Sequence, residues 1–130
     1  MITVHLTTKG QYMIRVLIVD DDLDLLEMVC LMAANHGLNP TCVSSGNAAL
    51  EALKKDKFSL LLMDIFLGDH DGRHISRELK GSDDYKDIPI LLYSAGQIDS
   101  SSITESKAEG FIQKPFNMKD LISRMRSLIN

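Results

Sequence analysis

Short, nearly continuous apolar runs punctuate the chain, and each stops abruptly at a polar residue. Ile14–Val19 stops at Asp20-Asp21-Asp22, Ser59–Met63 at Asp64, and Ile88–Tyr93 at Ser94. Such runs suit strands buried on both faces of a parallel sheet. Pro89 falls near the start of its run, where a missing N–H is tolerated. Asn39–Val43 and Phe111–Gln113 are weaker strand candidates. Between these runs, apolar residues recur at three- and four-residue spacing and predict helices over 22–36, 46–55, 72–80 and 118–129, with Gly37 and Gly81 placed as stops. The segment 98–107 is expected to be short or frayed, because Ser100-Ser101-Ser102 compete with the helical backbone for hydrogen bonds. Strand and helix alternate five times. That order predicts an α/β fold, a doubly wound five-stranded parallel sheet with right-handed crossovers.

Composition narrows the class without naming a function. One hundred and thirty residues, 45% hydrophobic and 25% charged, describe one globular domain. A net charge of −4 and a pI near 5.5 argue against direct nucleic-acid binding. Cys30 and Cys42 cannot build a disulfide framework, and no spacing suggests zinc. There is no signal-peptide pattern and no membrane-length apolar run, so a cytoplasmic location is expected. Residues 1–12 precede the first predicted strand and are read as an N-terminal arm or an expression remnant, with the domain itself spanning 13–130.

In an open α/β sheet, chemistry gathers outside the carboxyl ends of the strands. Here those ends deliver Asp20, Asp21 and Asp22, then Asp64, then Ser94, then Lys114-Pro115. Crowded carboxylates repel unless a cation sits among them, and an all-oxygen donor set favours Mg²⁺. A hydroxyl and a lysine at the same edge suit phosphoryl oxygens. Plainer roles compete for each residue alone. Asp22 or Asp24 serves as a helix N-cap, with Asp24-x-x-Glu27 as a capping box, and Asp64 could begin a turn. His70 and His74 lack metal-binding geometry and read as solvated, and the seven methionines read mostly as core fillers. The conjunction of acids, hydroxyl and lysine is what no plain reading explains.

Val19-Asp20-Asp21-Asp22, Asp64 after Leu60-Leu61-Leu62-Met63, Asp71-Gly72, Tyr93-Ser94-Ala95 and Lys114-Pro115-Phe116 together resemble the receiver domain of bacterial two-component response regulators, of the single-domain, chemotaxis-regulator-like kind. The resemblance covers about residues 13–129 and implies a flavodoxin-like (βα)5 fold. It implies that Asp64 accepts a phosphoryl group from a histidine kinase phosphohistidine. Asp21 then ligates Mg²⁺ directly, Asp20 mainly through water, and Asp64 and the Phe66 carbonyl complete the protein ligands. Ser94 and Lys114 meet the phosphoryl oxygens, Lys114–Pro115 is cis, and Ser94 and Phe111 form the switch. Phe111 replaces a common tyrosine and needs no polar partner, which favours its buried position and weakens discrimination between states. The implied partners are a sensor histidine kinase or phosphotransfer protein and a downstream protein on the face made by the fourth helix, fifth strand and fifth helix, with no direct contact to nucleic acid or membrane.

Three departures from that family pattern carry expectations of their own. Leu67-Gly68 replaces a frequent Met-Pro pair, so the loop after Asp64 is expected to be more mobile. The Ser94–Lys114 interval is about two residues short, which fits a reduced fourth helix. Phe66 is bulky where water reaches the acyl phosphate, so autodephosphorylation is expected to be slow. With the receiver filling the chain, output is expected through docking or phosphoryl relay, unless the chain is part of a longer regulator. The rival reading is a haloacid-dehalogenase-type phosphohydrolase, with Asp20 as nucleophile and Asp22 as general acid/base. It leaves Asp64 unexplained and lacks a later acidic pair.

Overall fold

Residues 4–6 and 12–129 are described by a computed structural model. In chain order the elements are β1 (Val4–Leu6), β2 (Tyr12–Val19), α1 (Leu23–Asn35), β3 (Asn39–Val43), α2 (Gly46–Lys55), β4 (Leu60–Asp64), α3 (Gly72–Lys80), β5 (Ile90–Ser94), α4 (Ser100–Ser106), β6 (Gly110–Gln113) and α5 (Met118–Ile129). The five strands from β2 to β6 are parallel and lie in the order β3-β2-β4-β5-β6. The doubly wound reading holds, with one addition. Val4–Leu6, part of the expected arm, pairs antiparallel with residues 12–14 of β2. Residues 1–3 and 7–11 of that segment lie outside the described residues.

Burial on both faces accounts for the continuous apolar runs. Val16, Ile18, Leu60 and Leu62 face a cluster completed by Val29 and Ala33 of α1 and Leu121 and Met125 of α5. Their neighbours Leu17, Val19, Leu61 and Met63 point the other way, against Ala49 and Leu53 of α2 and Ile75 and Leu79 of α3. Alternation between two apolar layers leaves no polar position in β4 before Asp64 and none in β2 after Arg15. Met63 and Met125 are core residues as expected, but Met28 is exposed on α1.

The helix ends follow local rules. Asp22, rather than Asp24, caps α1 by accepting from Leu25 N at 3.2 Å, so no Asp24–Glu27 capping box forms. In the serine-rich segment only seven residues become α4. Asp99 caps them through Ser102 N at 2.8 Å, while the hydroxyls of Ser102, Thr104 and Ser106 bond back to Asp99, Ser100 and Ile103 carbonyls. The serines thus satisfy the backbone locally, which shortens the helix without abolishing it. At the opposite edge of the sheet Lys80 Nζ lies 2.6 Å from Glu109 and 2.7 Å from the Ile88 carbonyl, so a buried lysine ties α3 to the start of β5 and β6.

Cys30 of α1 and Cys42 of β3 form a disulfide across a Cα–Cα distance of 6.5 Å. Two cysteines make no framework, yet they allow one bridge. The short connection through Gly37 folds β3 back along α1 and brings the pair within bonding range.

Gly72 opens α3 hard against the end of β4. A Cβ there would lie 2.5 Å from the Asp64 carbonyl oxygen and 3.1 Å from Ile65 Cα, both backbone atoms. Gly72→Ala is therefore expected to destabilise the fold by about 1–3 kcal/mol, the range for forced overpacking. Urea unfolding of the variant measures this, and an unchanged midpoint contradicts it.

Candidate functional site

β2 and β4 are neighbours at the point where the strand order reverses, and both run into acids. Asp20 is fully buried. One of its oxygens accepts Asp22 N at 3.0 Å, and the other accepts the Tyr93 hydroxyl at 2.6 Å and Lys114 Nζ at 3.1 Å. Asp64, the last residue of β4, is 7% exposed. Its Oδ1 accepts Phe66 N at 3.2 Å and its Oδ2 accepts Lys114 Nζ at 3.0 Å. Asp21 is exposed beside them, and one oxygen from each of Asp20, Asp21 and Asp64 falls within 4.8 Å of the others. Neither His70 nor His74 belongs to this grouping; His70 Nε2 lies 2.9 Å from Asn47 Oδ1 instead.

The charges are unbalanced. Three carboxylates face one ammonium, leaving two negative charges without a local partner. Burial raises the Asp64 pKa; the Lys114 hydrogen bond and charge pull it back only in part, and Asp20 adds to the rise. Burial pulls Lys114 down, but its hydrogen bond to Asp64 and the charges of Asp64 and Asp20 outweigh that and hold it protonated. Burial and the adjacent Asp20 carboxylate push Tyr93 far up, so its hydroxyl is a permanent donor. A hard divalent cation fits this donor set, since it meets oxygen ligands and an excess of negative charge. The Phe66 carbonyl is open to the same use. The bridge between Phe66 and Asp71 is closed by the Ile65 and His70 carbonyls and does not consume it.

Ser94 ends β5 one residue beyond Tyr93, the register partner of Asp64. It is fully buried, and its hydroxyl accepts Gly96 N at 3.2 Å. The Lys114–Pro115 bond is cis, as expected. Phe111 lies within β6 opposite Leu92, half-buried against the α2–α3 side of the core and away from the acids. Phe66 is half exposed at the mouth of the site.

Three features escaped sequence reasoning. Tyr93 seals Asp20, a role with no local signature because 73 residues separate them. Gln113 Nε2 lies 3.0–3.1 Å from the carbonyls of Ser94, Ala95 and Gly96 and so holds the loop after β5 against β6. Asp69 accepts Gly46 N at 2.9 Å and Asn47 N at 3.0 Å, seating its carboxylate on the N-terminus of α2. Those two N–H groups hold its pKa low. With Leu67 buried and Gly68 at φ +81° beside the Asp21 carboxylate, the loop expected to be mobile carries restraints along most of its length.

The raised Asp64 pKa has a consequence for stability. A carboxyl whose folded pKa exceeds its unfolded value favours folding only while protonated, so its ionisation disfavours the native state as pH rises through the folded pKa. Asp64→Asn is expected to raise the melting temperature at neutral pH, and the gap should close as pH falls below the ordinary value of 3.8. Thermal scans across pH check this; a wild type as stable as the variant at pH 7 contradicts it.

Among the described residues, no helix is long and apolar enough to cross a membrane. The family model for the response regulator receiver domain matches residues 16–126. The DNA-binding response regulator MtrA of Mycolicibacterium paratuberculosis is 31% identical over 115 residues, 87% of this chain and 50% of that protein. Response regulator MprA of Mycobacterium tuberculosis is 30% identical over 118 residues, 89% of this chain and 50% of that protein. The chain thus spans about half the length of the curated relatives it matches. In fold it is similar to the chemotaxis response regulator CheY4 of Vibrio cholerae, with a TM-score of 0.82 at 24% identity over 89% of this chain and 98% of that one. It is similar also to the receiver domain of the sensor histidine kinase PA1611 of Pseudomonas aeruginosa, whose crystal structure has a magnesium ion coordinated in its active site cleft. That likeness has a TM-score of 0.82 at 23% identity, over 90% of this chain and 98% of that one. The chain belongs to the response regulator receiver domain family, the signalling phosphoacceptors of two-component systems.

Proposed function

We propose that Asp64 is the phosphoacceptor, receiving the phosphoryl group from a histidine kinase or phosphotransfer protein. The observation that carries this reading is the contrast between the two acids that share Lys114. Asp20 is fully buried and takes three hydrogen bonds, two of them on Oδ2 from Tyr93 and Lys114, so it offers no open face to an incoming phosphorus. Asp64 ends its strand at the mouth of the site, and its Oδ1 has a single backbone N–H as partner. The same contrast weighs against Asp20 as a hydrolase nucleophile, and Asp22 is occupied as the α1 cap.

Asp20, Asp21, Asp64 and the Phe66 carbonyl are the residues that would hold Mg²⁺. Bound there, the ion supplies positive charge to the oxygens of the transferring group. Lys114 sits 3.0 Å from Asp64 and supplies a second positive charge to a phosphoryl oxygen on that carboxylate. Ser94 gives up its weak bond from Gly96 N and turns its hydroxyl toward another oxygen, moving the loop that Gln113 holds. Phe111 follows the vacated space. The face formed by α4, β6 and α5 then changes and docks a downstream protein.

Leu23, Met28 and Leu31 are large apolar side chains left exposed on α1, which begins directly after Asp20–Asp22. A helix face beside the acceptor that mixes these apolar side chains with exposed Asp24 and Glu27 suits helical docking by the phosphoryl donor. MtrA is a DNA-binding regulator; these 130 residues carry a net −4, so we assign them protein docking, and the receiver family supports a cytoplasmic setting.

Acetyl phosphate with Mg²⁺ is expected to add one phosphoryl group, located by peptide mass spectrometry on Asp64. Asp64→Asn should abolish the gain and Asp21→Ala should lose the part of it that Mg²⁺ supports. Label on Asp20 would instead favour the hydrolase. Phe66→Asn is expected to shorten the phosphate half-life by about tenfold, a barrier change of ~1.4 kcal/mol. An unchanged half-life refutes the shielding role of Phe66.

A further inference from the structure

The Phe66 side chain is half exposed, yet its ring has neighbours on two sides. The Arg73 guanidinium carbon lies 5.7 Å from the ring centroid. On the other side, a methyl group placed on Gly96 would come within 3.4 Å of Phe66 Cε2 and 3.9 Å of Ser94 Oγ. The ring therefore spans from the start of α3 to the loop after β5, across the mouth above Asp64. An aromatic side chain at a loop position has two free torsions, and half exposure alone would not keep it there.

Arg73 has the contacts to fix it. Its Nε and Nη2 donate to Asp71 Oδ1 and Oδ2 at 3.0 and 2.7 Å, a two-pronged pair on the residue that caps α3. Its Nη1 donates to Ser102 Oγ of α4 at 3.1 Å. The guanidinium plane is thus oriented from two elements, and the hydrogen bond with Asp71 keeps that carboxylate ionised. Beside this contact a shallow, open surface pocket of about 130 Å³ is lined by Arg73, His74, Arg77, Ser102, Glu105 and Ser106. Deeper in the seam the buried Ser76 hydroxyl donates to the Ser106 carbonyl at 2.8 Å, and at the solvent-facing rim the directed bonds are those of Arg73.

We propose that Arg73 is a positioning residue that braces the Phe66 ring across the mouth of the Asp64 site, with Asp71 and Ser102 as its footholds, and thereby slows the attack of water on the phosphorylated aspartate. The inference rests on Asp64 being the phosphoacceptor. The lifetime of the signal then belongs to a pair, the ring and its brace. Arginine suits the task because one planar group can fork onto a carboxylate, reach a hydroxyl and face an aromatic ring together, which a lysine cannot.

A double-mutant cycle on phosphate loss tests this, using protein loaded with labelled acetyl phosphate and Mg²⁺ and then freed of donor. Arg73→Ala and Phe66→Ala are each expected to speed phosphate loss by about fivefold, and the double variant to lose phosphate no faster than Phe66→Ala alone, the non-additivity of groups acting as a unit. Arg73→Lys keeps the charge at Asp71 and preserves the fold should alanine disturb it. It should speed loss about twofold in the wild-type background and not at all in Phe66→Ala. A purely structural role predicts otherwise, since loosened helices would speed loss by the same factor with or without the ring. Equal factors in both backgrounds, or no effect of either Arg73 substitution, overturn the proposal. Failure of the wild type to take label on Asp64 overturns the underlying phosphoacceptor reading, an outcome visible before any variant is compared.

A second readout needs no phosphate. The chain has no tryptophan, so Phe66→Trp installs a lone indole. Acrylamide quenching of that indole should rise when Arg73→Ala is added; equal quenching counts against the brace.

Discussion

One ammonium holds two carboxylates that electrostatics would drive apart. Lys114 lies 3.0 Å from Asp64 and 3.1 Å from Asp20, and those acids come from the ends of adjacent parallel strands. Parallel pairing fixes where the strands end relative to each other, so the acids cannot retreat without breaking register. The lysine makes their proximity tolerable, and it arrives from a third strand, β6, at the far edge of the sheet. The site is therefore assembled only when the whole sheet is. Such a group folds as a unit with the core, and the core's two apolar layers offset the cost of the crowded charge.

The surroundings divide into parts that hold still and parts that can yield. Asp20 is immobilised by Tyr93, by Lys114 and by the backbone of Asp22. It has the character of a fixed counter-charge. Asp21 is exposed and free to adjust its distance to an ion. Asp64 is intermediate, anchored at one oxygen by Lys114 and lightly at the other by Phe66 N. A gradation from fixed to adjustable acids gives the donor set both preorganisation and tolerance, which a cation with strict octahedral demands requires.

The strands and most helices were legible in the sequence because their cause is local. Runs such as Leu60-Leu61-Leu62-Met63 record burial on both faces, and Asp64 records where that burial ends. Asp20, Asp64 and Ser94 were legible for the same reason, since each directly follows an apolar run, and Lys114 follows the weaker run Phe111-Ile112-Gln113. The N-cap of α1 was less certain because Asp22 and Asp24 both suit the role, and only the backbone geometry decides between them. The rest depended on contacts between residues far apart in the chain. Tyr93 with Asp20, Asp69 with Gly46, Gln113 with Ser94 and Cys30 with Cys42 leave no spacing signature. In the sequence residues 4–6 belong to an arm because Val-His-Leu is too short to show alternation, and their pairing with β2 is set by the partner strand.

The seat of Asp69 on the α2 N-terminus acquires its meaning from the other side of the site. The loop after β4 is moored to α2 by two backbone amides, closed at its far end by Gly72 against Asp64, and braced at Arg73. The loop after β5 is tied across to β6 mainly by one side-chain amide, that of Gln113, and otherwise by the Gly96 N–H on Ser94 and by Ile98 on the core. When a bulky anion is forced between two walls of unequal stiffness, the weaker wall gives way and the displacement takes its direction from the difference. The domain is in this sense a one-sided spring, and its stiff half determines where the force goes by refusing to move.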